Sequence, residues 1–349
     1  MLLWKSETNT CSYSSRLNTM TKKKTKTILS GIQPSGRLHI GNYFGAMKQH
    51  IAMQEEGDAF YFLANYHSLT SIQDKEKLEN NTRDVVLDYL ALGLDPEKCT
   101  LFAQSDVPQT TELAWILGTL TPVSMMEKGV AYKDKVASGL SPNIGLFTYP
   151  ILQAADILIY RSNIVPVGED QKQNIEITRD LAGKLNRIYG EDLLTIPEEH
   201  IVKSVATVPG VDGRKMSKSY GNTINIFDEG KAQKKKVMSI ETDSVPLDDP
   251  KAPETCNVFA LIKLFADKET ITKIAGKYEA GGYGYGHAKK ELLGLIEEYF
   301  ADARTKRKEL EQNPGYVNDV LKEGGKKARE RAEQVMEPIR SSTGLFRSY

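Results

Sequence analysis

Cysteine is scarce in this 349-residue sequence and is not arranged for pairing. Cys11, Cys99 and Cys256 are far apart, and none of them belongs to a C-x-x-C motif. Their odd number and wide spacing argue against a disulfide framework and a thiolate zinc site, and they fit a reducing compartment. No apolar run approaches the roughly 18 residues that a membrane helix requires. We therefore expect a cytoplasmic protein with no membrane partner.

A net charge is also lacking. Lys plus Arg and Asp plus Glu both number 46, so the formal charge is zero. No global field attracts a polyanion, and any contact with nucleic acid has to come from local basic clusters. Such clusters, which are equally typical of solvated helix faces, occur at Lys231, Lys234, Lys235, Lys236, Lys326, Lys327, Arg329 and Arg331.

The first nineteen residues lack the marks of a targeting segment. They are rich in Ser and Thr, but they have no apolar signal core and no high arginine density. We expect either a disordered extension over residues 1–22 or translation that begins at Met20.

The sequence is long enough for two or three packed units. Apolar strand-like runs alternate with amphipathic helical stretches, the strands being "TKTILSG", "AFYFLAN", "TLFAQ" and "NIVPVG". This alternation predicts an α/β fold, a Rossmann-like doubly wound parallel sheet, over residues 23–220. A helical and charged section near residues 105–147 predicts a connective insertion.

Strand patterns end near residue 225. Three long helical stretches follow, namely "TCNVFALIKLFAD", "AKKELLGLIEEYFADARTKRKELEQ" and "GYVNDVLKEGGKKARERAEQVMEPI". They predict a helical C-terminal domain over residues 221–349, with its last helix as a candidate to pack back on the α/β domain.

The stretch "SGIQPSGRLHIGN", called here the first motif, is almost a phosphate loop. Gly31 and Gly36 have P-loop spacing, but Arg37 and Leu38 stand where a P-loop needs Lys and then Ser or Thr. A helix predicted to begin near the following glycine would direct its positive end toward an anion. The motif therefore predicts a nucleotide site of a different kind.

Two neutral polar residues follow in the first motif, and they suggest which part of a nucleotide this site binds. His39 and Asn42 can donate hydrogen bonds to charge that develops at an α-phosphate, without gripping the terminal phosphates permanently. The competing interpretation is structural: a turn with a helix-capping Asn and a packed His. The motif alone does not separate the two.

The stretch "DGRKMSKSYGN", called here the second motif, places Lys215 and Lys218 three residues apart in a Gly-flanked segment. By itself such a segment is typical of a solvated basic loop. In combination and in this order, the two motifs resemble the signatures of class I aminoacyl-tRNA synthetases. The resemblance implies that the first motif cradles ATP and that the two lysines hold the departing pyrophosphate.

Most of the chain after the first two dozen residues resembles the tryptophanyl-tRNA synthetase family. "SGIQPSG", "TYPILQAADILIY" and "VPVGEDQKQNIEITRDLAGKLNRIYG" carry this resemblance, with weaker support from "ETDS" and "YEAGGYGYGHAKKEL". It implies a homodimer that uses ATP, L-tryptophan and tRNA(Trp), with Mg²⁺ arriving with ATP. It also implies that the helical domain binds the anticodon.

One helical stripe predicts the amino-acid pocket. If Pro150 opens a helix, Tyr149, Gln153, Asp156 and Tyr160 fall on one face, which is either a pocket wall or a solvent-facing polar stripe. The resemblance assigns the indole N–H to Asp156. Common bacterial members carry Met at the position of Gln153, and a glutamine can also bond a phenol, so tyrosine remains the alternative substrate.

The resemblance assigns most of the remaining site residues one by one. His67 is predicted from its position after the second strand, where a packed histidine is the alternative. The catalytic residues are His39, Asn42, Lys215 and Lys218. The ATP-binding residues are Gln33, Pro34, Ser35, Gly41, Asn42, Lys135, Gly168, Glu169, Asp170, Lys215, Met216, Ser217, Lys218 and Ser219. The tryptophan-binding residues are Gly31, His67, Tyr149, Gln153, Asp156 and Gln171.

Structural interpretations compete with some of these assignments. Glu169 and Asp170 also fit ordinary charge at a helix N-terminus, and Lys135 fits a solvated lysine. Two other functions are a non-catalytic tRNA-binding paralogue, which typically loses the signature His or the loop lysines, and a nucleotidyltransferase of the H-x-G-H type.

Overall fold

The computed structural model describes residues 26–34, 36–137, 139, 141–168, 171–201 and 208–345. A five-stranded parallel sheet forms its centre, in the order β3-β2-β1-β4-β5. The strands are β1 Thr27–Ile32, β2 Asp58–Leu63, β3 Cys99–Ala103, β4 Ile164–Val167 and β5 Glu198–Ile201. The sheet confirms the predicted doubly wound α/β fold.

Helices cover both faces of the sheet. They are α1 Ile40–Asn42, α2 Lys48–Met53, α3 Asn65–Ser68, α4 Lys75–Ala91, α5 Gln109–Thr119, α6 Val123–Met126, α7 Val130–Ala137, α8 Ile144–Leu158, α9 Lys172–Tyr189, α10 Gly230–Met238, α11 Asn257–Phe265, α12 Lys268–Ala280, α13 Tyr285–Tyr299, α14 Ala301–Glu311 and α15 Pro314–Thr343. A π-helical turn, Tyr43–Met47, joins α1 to α2. None of these helices is both long enough and apolar enough to span a membrane, within the part of the chain that is described.

The strand order creates a switch point beside β1. The chain moves outward from β1 through β2 to β3, then returns to the other side of β1 to form β4 and β5. The connections on the two sides therefore diverge at the carboxyl ends of β1 and β4. That divergence opens the crevice in which α/β sheets of this kind bind ligands.

Alternating side chains of β1 belong to two separate core layers. Ile28 packs into a layer with α4, α11 and α13, whereas Leu29 packs into the opposite layer with α5, α8 and α9. Because successive strand residues point to opposite faces, a single buried strand supports both layers. The sheet is thereby held rigidly under the crevice.

Helix α15 covers the open edge of the sheet. β3 is an edge strand, and α15 crosses it so closely that a Cβ on Gly324 would lie 1.9 Å from the carbonyl oxygen of Leu101. Only glycine allows this approach. Covering an edge strand in this way keeps its unpaired backbone groups from other chains.

Two cations of α15 correct a sequence-based interpretation. Arg329 donates through Nη1 to the backbone oxygen of Asp106 at 2.8 Å, and Arg331 donates through Nε to the backbone oxygen of Tyr160 at 3.3 Å. These arginines tie α15 to the sheet domain. They therefore do not belong to a purely solvated face or an open RNA-binding face, as their clustering in the sequence had indicated.

Two helix boundaries also differ from the prediction. Pro150 does not open the pocket helix, because α8 begins six residues earlier, where the side chain of Asn143 accepts from the backbone N–H of Leu146 at 2.8 Å. Asparagine is a strong N-cap, and α8 continues through the proline. The second long helical stretch is two helices, α13 and α14, which meet at the buried Phe300.

Candidate active site

A cavity of about 710 Å³ lies at the carboxyl ends of β1 and β4. Eleven of the predicted site residues line it, from both motifs, from α8 and from the segments after β2 and β4: Gly31, Gln33, Gly41, His67, Tyr149, Gln153, Asp156, Gly168, Gln171, Lys215 and Met216. Further lining residues that the sequence did not single out include Leu29, Gly45, Ala46, His50 and Phe62.

The other predicted residues lie around this cavity or outside the described part of the chain. Pro34 is buried in the turn of the first motif, and His39 and Asn42 lie at the start of α1. Ser217, Lys218 and Ser219 lie on the loop of the second motif, where the two serine hydroxyls are 2.8 Å apart. Ser35, Glu169, Asp170 and the side chain of Lys135 lie outside the described residues.

His39 and Asn42 cap α1 reciprocally. His39 Nδ1 accepts from the backbone N–H of Asn42 at 3.2 Å, and Asn42 Oδ1 accepts from the backbone N–H of His39 at 3.1 Å. The structural alternative predicted for the first motif, a turn with a helix-capping Asn and a packed His, therefore describes its local structure correctly. Because Nδ1 accepts, a neutral imidazole here carries its proton on Nε2, which leaves that atom as a donor.

His39 is held in the neutral form. Burial, and secondarily the ammonium of Lys218, lower the pKa of His39 to about 4. The side chain is 5% exposed, so desolvation is the dominant cause. His39 is therefore a neutral hydrogen-bond donor at physiological pH.

The segment 208–226, which contains the second motif, is fastened to the first motif by backbone pairing. Ile40 N donates to Ile224 O at 3.0 Å, and Ile226 N donates to Leu38 O at 3.1 Å. His39 lies between these two hydrogen bonds. The pairing brings the two motifs, almost two hundred residues apart in the sequence, to one edge of the cavity.

Side chains strengthen this contact between the motifs. Gly41 N donates to Met216 Sδ at 3.3 Å, and Lys218 Nζ donates to the carbonyl oxygen of Gly36 at 3.0 Å. Burial lowers the pKa of Lys218, while the carboxylate of Asp84 opposes that shift. Lys215 lines the cavity together with Gly41 and Met216, and His39 and Lys218 each lie two residues from one of these lining residues.

A buried carboxylate also lines the cavity. Asp156 is 2% exposed, and it accepts from Gln104 Nε2 at 2.8 and 2.9 Å and from His67 Nε2 at 2.8 Å. Burial raises the pKa of Asp156, and the contacts with His67 and Gln104 oppose the rise. Donation from two directions fixes the orientation of this carboxyl group.

Gln104 is a further residue that the sequence analysis missed. Its Oε1 accepts from the backbone N–H of Tyr66 at 3.0 Å, which directs the NH₂ group toward Asp156. The sequence showed it only as the polar end of an apolar strand. A polar residue directly after a buried parallel strand lies at the ligand edge of the sheet, and that position was the available signal.

The polar stripe of α8 faces the cavity for most of its length. Tyr149, Gln153 and Asp156 line the cavity, and Gln153 Nε2 lies 3.3 Å from Gln171 Oε1, which also accepts from Asn174 at 2.9 Å. Tyr160 is different. It is buried and stacks on Phe60 with ring centroids 5.1 Å apart.

Sequence comparison defines the class of this protein. Residues 21–301 match a family model described as tRNA synthetases class I (W and Y). The chain belongs to this family of class I aminoacyl-tRNA synthetases.

Similar proteins narrow the class to its tryptophan branch. A tryptophan–tRNA ligase of Fusobacterium nucleatum subsp. nucleatum is 55% identical over 320 residues, which cover 92% of this chain and 98% of that protein. Another from Rhodopirellula baltica is 51% identical over 318 residues, or 91% of this chain and 99% of that protein. These relatives favour tryptophan over the tyrosine alternative.

Solved structures agree with this placement. The crystal structure of tryptophanyl-tRNA synthetase from Campylobacter jejuni complexed with ADP and tryptophan has a TM-score of 0.87 to this chain. The two are 49% identical, with coverage of 91% of this chain and 100% of that chain.

Proposed function

We propose that this chain activates L-tryptophan with ATP and then transfers the tryptophanyl group to the 3′ end of tRNA(Trp). The observation that carries the proposal is a single cavity lined by groups of two different kinds. Asp156 and Lys215 both line this cavity, and His39 and Lys218 lie in the two motifs that border it, close enough for the Lys218 ammonium to act on His39. An amino acid and a triphosphate held there would bring a carboxylate to the α-phosphate.

In the proposed amino-acid site, Asp156 accepts the indole N–H. Gln104 and His67 hold the carboxylate in place, and the walls are apolar, including Leu29 and Phe62. A phenylalanine side chain would leave this buried carboxylate without its ligand partner, so the site rejects it. Gln171 contributes a polar wall toward the amino-acid backbone.

In the proposed first step, a carboxylate oxygen of tryptophan attacks the α-phosphorus in line. An oxygen–phosphorus bond forms, the bond to the bridging oxygen of the β-phosphate breaks, and pyrophosphate leaves with its electron pair. His39 Nε2–H and the ammonium groups of Lys215 and Lys218 stabilise the charge that moves onto the phosphate oxygens. No side chain has to form a covalent bond, so the protein acts by positioning and electrostatics.

Mg²⁺ enters this proposal as part of MgATP. No group of three or more His, Cys, Asp or Glu side chains suited to a metal occurs among the residues that the structure describes. ATP phosphates commonly carry Mg²⁺ with few protein ligands. The ion would therefore belong to the substrate.

In the second step, a ribose hydroxyl of the terminal tRNA adenosine, the 2′ in class I enzymes, attacks the adenylate carbonyl and AMP leaves. We assign this chemistry to residues 23–220, with a connective insertion near 105–147. We assign the anticodon contact to the helical residues 221–349. Splayed single-stranded bases are the expected target there.

We further propose that two copies of the chain form a homodimer through the outer faces of α5 and α8. Trp115 and Ile144 there are 75% and 76% exposed, and Val123 beside them is 64% exposed. With Phe147 and Ile151 they line an apolar groove of about 530 Å³. A cluster of large exposed apolar side chains is typical of a protein interface.

The reaction is proposed to occur in the cytoplasm, which agrees with the buried free thiols of Cys99 and Cys256.

ATP–pyrophosphate exchange tests the activation step. Exchange should depend on L-tryptophan and be at background with L-phenylalanine or with no amino acid. Exchange that is supported by L-tyrosine instead would reject the substrate, and exchange without any amino acid would reject the class. Charging of tRNA(Trp) transcripts then tests the second step, and exchange without charging would limit the proposal to adenylate formation.

A further inference from the structure

Asn222 is a buried polar residue, 2% exposed, just after the second motif. Its Oδ1 accepts from the backbone N–H of Ser217 at 2.8 Å. Its Nδ2 donates to the carbonyl oxygen of Lys215 at 3.1 Å and to Asp212 Oδ1 at 2.7 Å. One amide group therefore joins three points of the loop that carries both lysines.

Two of these contacts fix the backbone on either side of Met216. The Lys215 carbonyl and the Ser217 N–H both bond to Asn222, and Met216 between them contacts Gly41 of the first motif through its sulfur. Asn222 thus fixes the peptide planes that join Lys215 to Met216 and Met216 to Ser217, the first of which adjoins the side chain of Lys215. Lys218 directly follows Ser217, so the same hydrogen bond also restricts the backbone position of Lys218.

The third contact, from Asn222 to Asp212, is linked to Arg214 and Tyr220 of the same loop. Asp212 also accepts from Arg214 Nε at 2.8 Å, and the Arg214 guanidinium lies 4.5 Å from the ring centroid of Tyr220. The bond from Asn222 is the largest of the effects that lower the pKa of Asp212. Hydrogen bonds through Asn222 therefore connect residues 212, 215 and 217 of the loop to one another.

The surrounding backbone is shaped for this one side chain. A Cβ on Gly210 would lie 2.3 Å from Asn222 Nδ2, and Val211 N donates to the Asn222 backbone oxygen at 3.0 Å. The position needs a donor and an acceptor in a side chain of this length. Aspartate has the shape but lacks the donor, and it would place a carboxylate against Asp212.

We propose that Asn222 is a positioning residue that places Lys215 and Lys218 for pyrophosphate release, acting through the loop backbone and touching no substrate. The inference rests on the proposed function for its kinetic consequence. Its structural part, the fixing of the loop, stands on the three hydrogen bonds. The two parts can be tested separately.

The kinetic test compares Asn222→Asp with wild type in tryptophan-dependent ATP–pyrophosphate exchange. A misplaced catalytic group commonly reduces the rate about 100-fold, so kcat should fall by about 10- to 100-fold. KM for tryptophan and tryptophan binding should stay within about twofold, because the side chain of Asn222 contacts neither Asp156 nor the residues that hold it. The double variant N222D/D212N, which restores a donor–acceptor pair without two facing carboxylates, should recover part of the loss.

Asn186 offers a matched control. Its amide also bonds a backbone acceptor and a backbone donor, both of Leu194, at 2.8 and 2.9 Å, but far from the second motif. Asn186→Asp should leave exchange unchanged. Equal exchange in N222D and wild type, or a parallel loss of tryptophan binding in N222D, would overturn the proposal.

Limited trypsin digestion tests the loop itself without reference to any reaction. N222D should be cut faster after Arg214, Lys215 or Lys218 than wild type and N186D, with thermal unfolding of all three recorded. If wild type shows no exchange with any amino acid, the proposed function fails, and the digestion still decides the role of Asn222. Cleavage of N222D at the wild-type rate would overturn the positioning role.

Discussion

Lys218 Nζ donates to the carbonyl oxygen of Gly36 at 3.0 Å, across a separation of 182 residues in the sequence. This hydrogen bond joins the two motifs that the sequence singled out separately. It also places an ammonium close enough to His39 to contribute to the lowering of its pKa. Two of the groups to which the proposed reaction assigns charge stabilisation, His39 and Lys218, therefore lie close together in this structure.

Removing that ammonium should impair activation of the amino acid specifically. Lys218→Ala is expected to lower the tryptophan-dependent exchange rate by ~10²–10³-fold, or about 3–4 kcal/mol, since one preorganised charge donor is lost. Tryptophan affinity should be unchanged. Lys234→Ala, at an exposed position on α10, is the control and should exchange normally. A normal rate in K218A would contradict the assignment of Lys218.

Gln104 should govern tryptophan affinity and leave ATP affinity alone. Gln104→Ala removes the donor that spans both oxygens of Asp156, so we expect KM for tryptophan to rise by about 10- to 100-fold, or ~1–3 kcal/mol. KM for ATP should stay constant. Gln109→Ala, on α5 and bonded to Glu333 at 3.0 Å, is the control and should leave both constants unchanged. Equal changes in both KM values would instead indicate general disruption.

Stability should fall in acid partly through His50. Burial lowers the pKa of His50 to about 4, below its ordinary value of 6.5, so between these values the unfolded chain binds more protons than the folded one. The contribution is full above pH 6.5 and is lost as the pH falls toward 4. Tyr61 and Tyr89 beside it stay uncharged because burial raises the pKa of both.

The urea dependence of unfolding at pH 7 and pH 4.5 measures this effect. His50→Phe should lose less stability between the two pH values than wild type or His287→Phe, the latter being a change at an exposed position. The comparison uses the difference between the two pH values, so any constant effect of the substitution cancels. An identical loss in all three proteins would show that His50 does not contribute.

Gly324 and Gly294 should respond oppositely to the same substitution. Both lie in helices, where alanine is favoured over glycine by about 1 kcal/mol. At Gly294 a Cβ meets no atom within 4 Å, so Gly294→Ala should stabilise the protein by about 0.5–1 kcal/mol. Gly324→Ala should instead destabilise it by about 2 kcal/mol or more, because the Cβ overlaps the Leu101 backbone. Chemical denaturation of both variants decides the matter, and a stabilised G324A would contradict the close packing of α15 on β3.

A charge on the outer face of α5 should separate the proposed dimer. Trp115→Glu is expected to give a monomer in sedimentation velocity, since it places a carboxylate in the apolar groove. Leu247→Glu is the matched control, because Leu247 is 53% exposed but lies on the helical module away from that groove. A wild-type protein that sediments as a monomer would reject the dimer, and a dimeric W115E would reject this face.

The parts of the site that could be predicted are those whose chemistry repeats a local pattern. His39 with Asn42, and Lys215 with Lys218, stand at short spacings that restrict which groups can meet. The expectation that the two motifs act on one ligand came from the family resemblance. The stripe of α8 followed from helical periodicity, although the helix start did not. Asn143 caps the helix, and a cap is judged better from its hydrogen bond than from the proline that follows.

What could not be predicted depends on contacts between distant segments. Gln104 and Asp156 are 52 residues apart, and no local sequence pattern indicates that their side chains are hydrogen-bonded. The short strand β5, "EEHI", lacks an apolar run, and its backbone pairing with β4 defines it. The sequence shows Arg329 and Arg331 only as part of a basic cluster, because their acceptors are backbone oxygens of distant residues.

The position of α15 has a consequence for how the protein is made. β3 is complete once Ala103 has been added to the growing chain, whereas the helix that shields it begins only at Pro314. For the whole intervening period of synthesis the nascent chain carries an unshielded strand. Docking of Gly324 against Leu101 is therefore a late event in maturation, and a nascent chain stalled before this point is a natural substrate for chaperones.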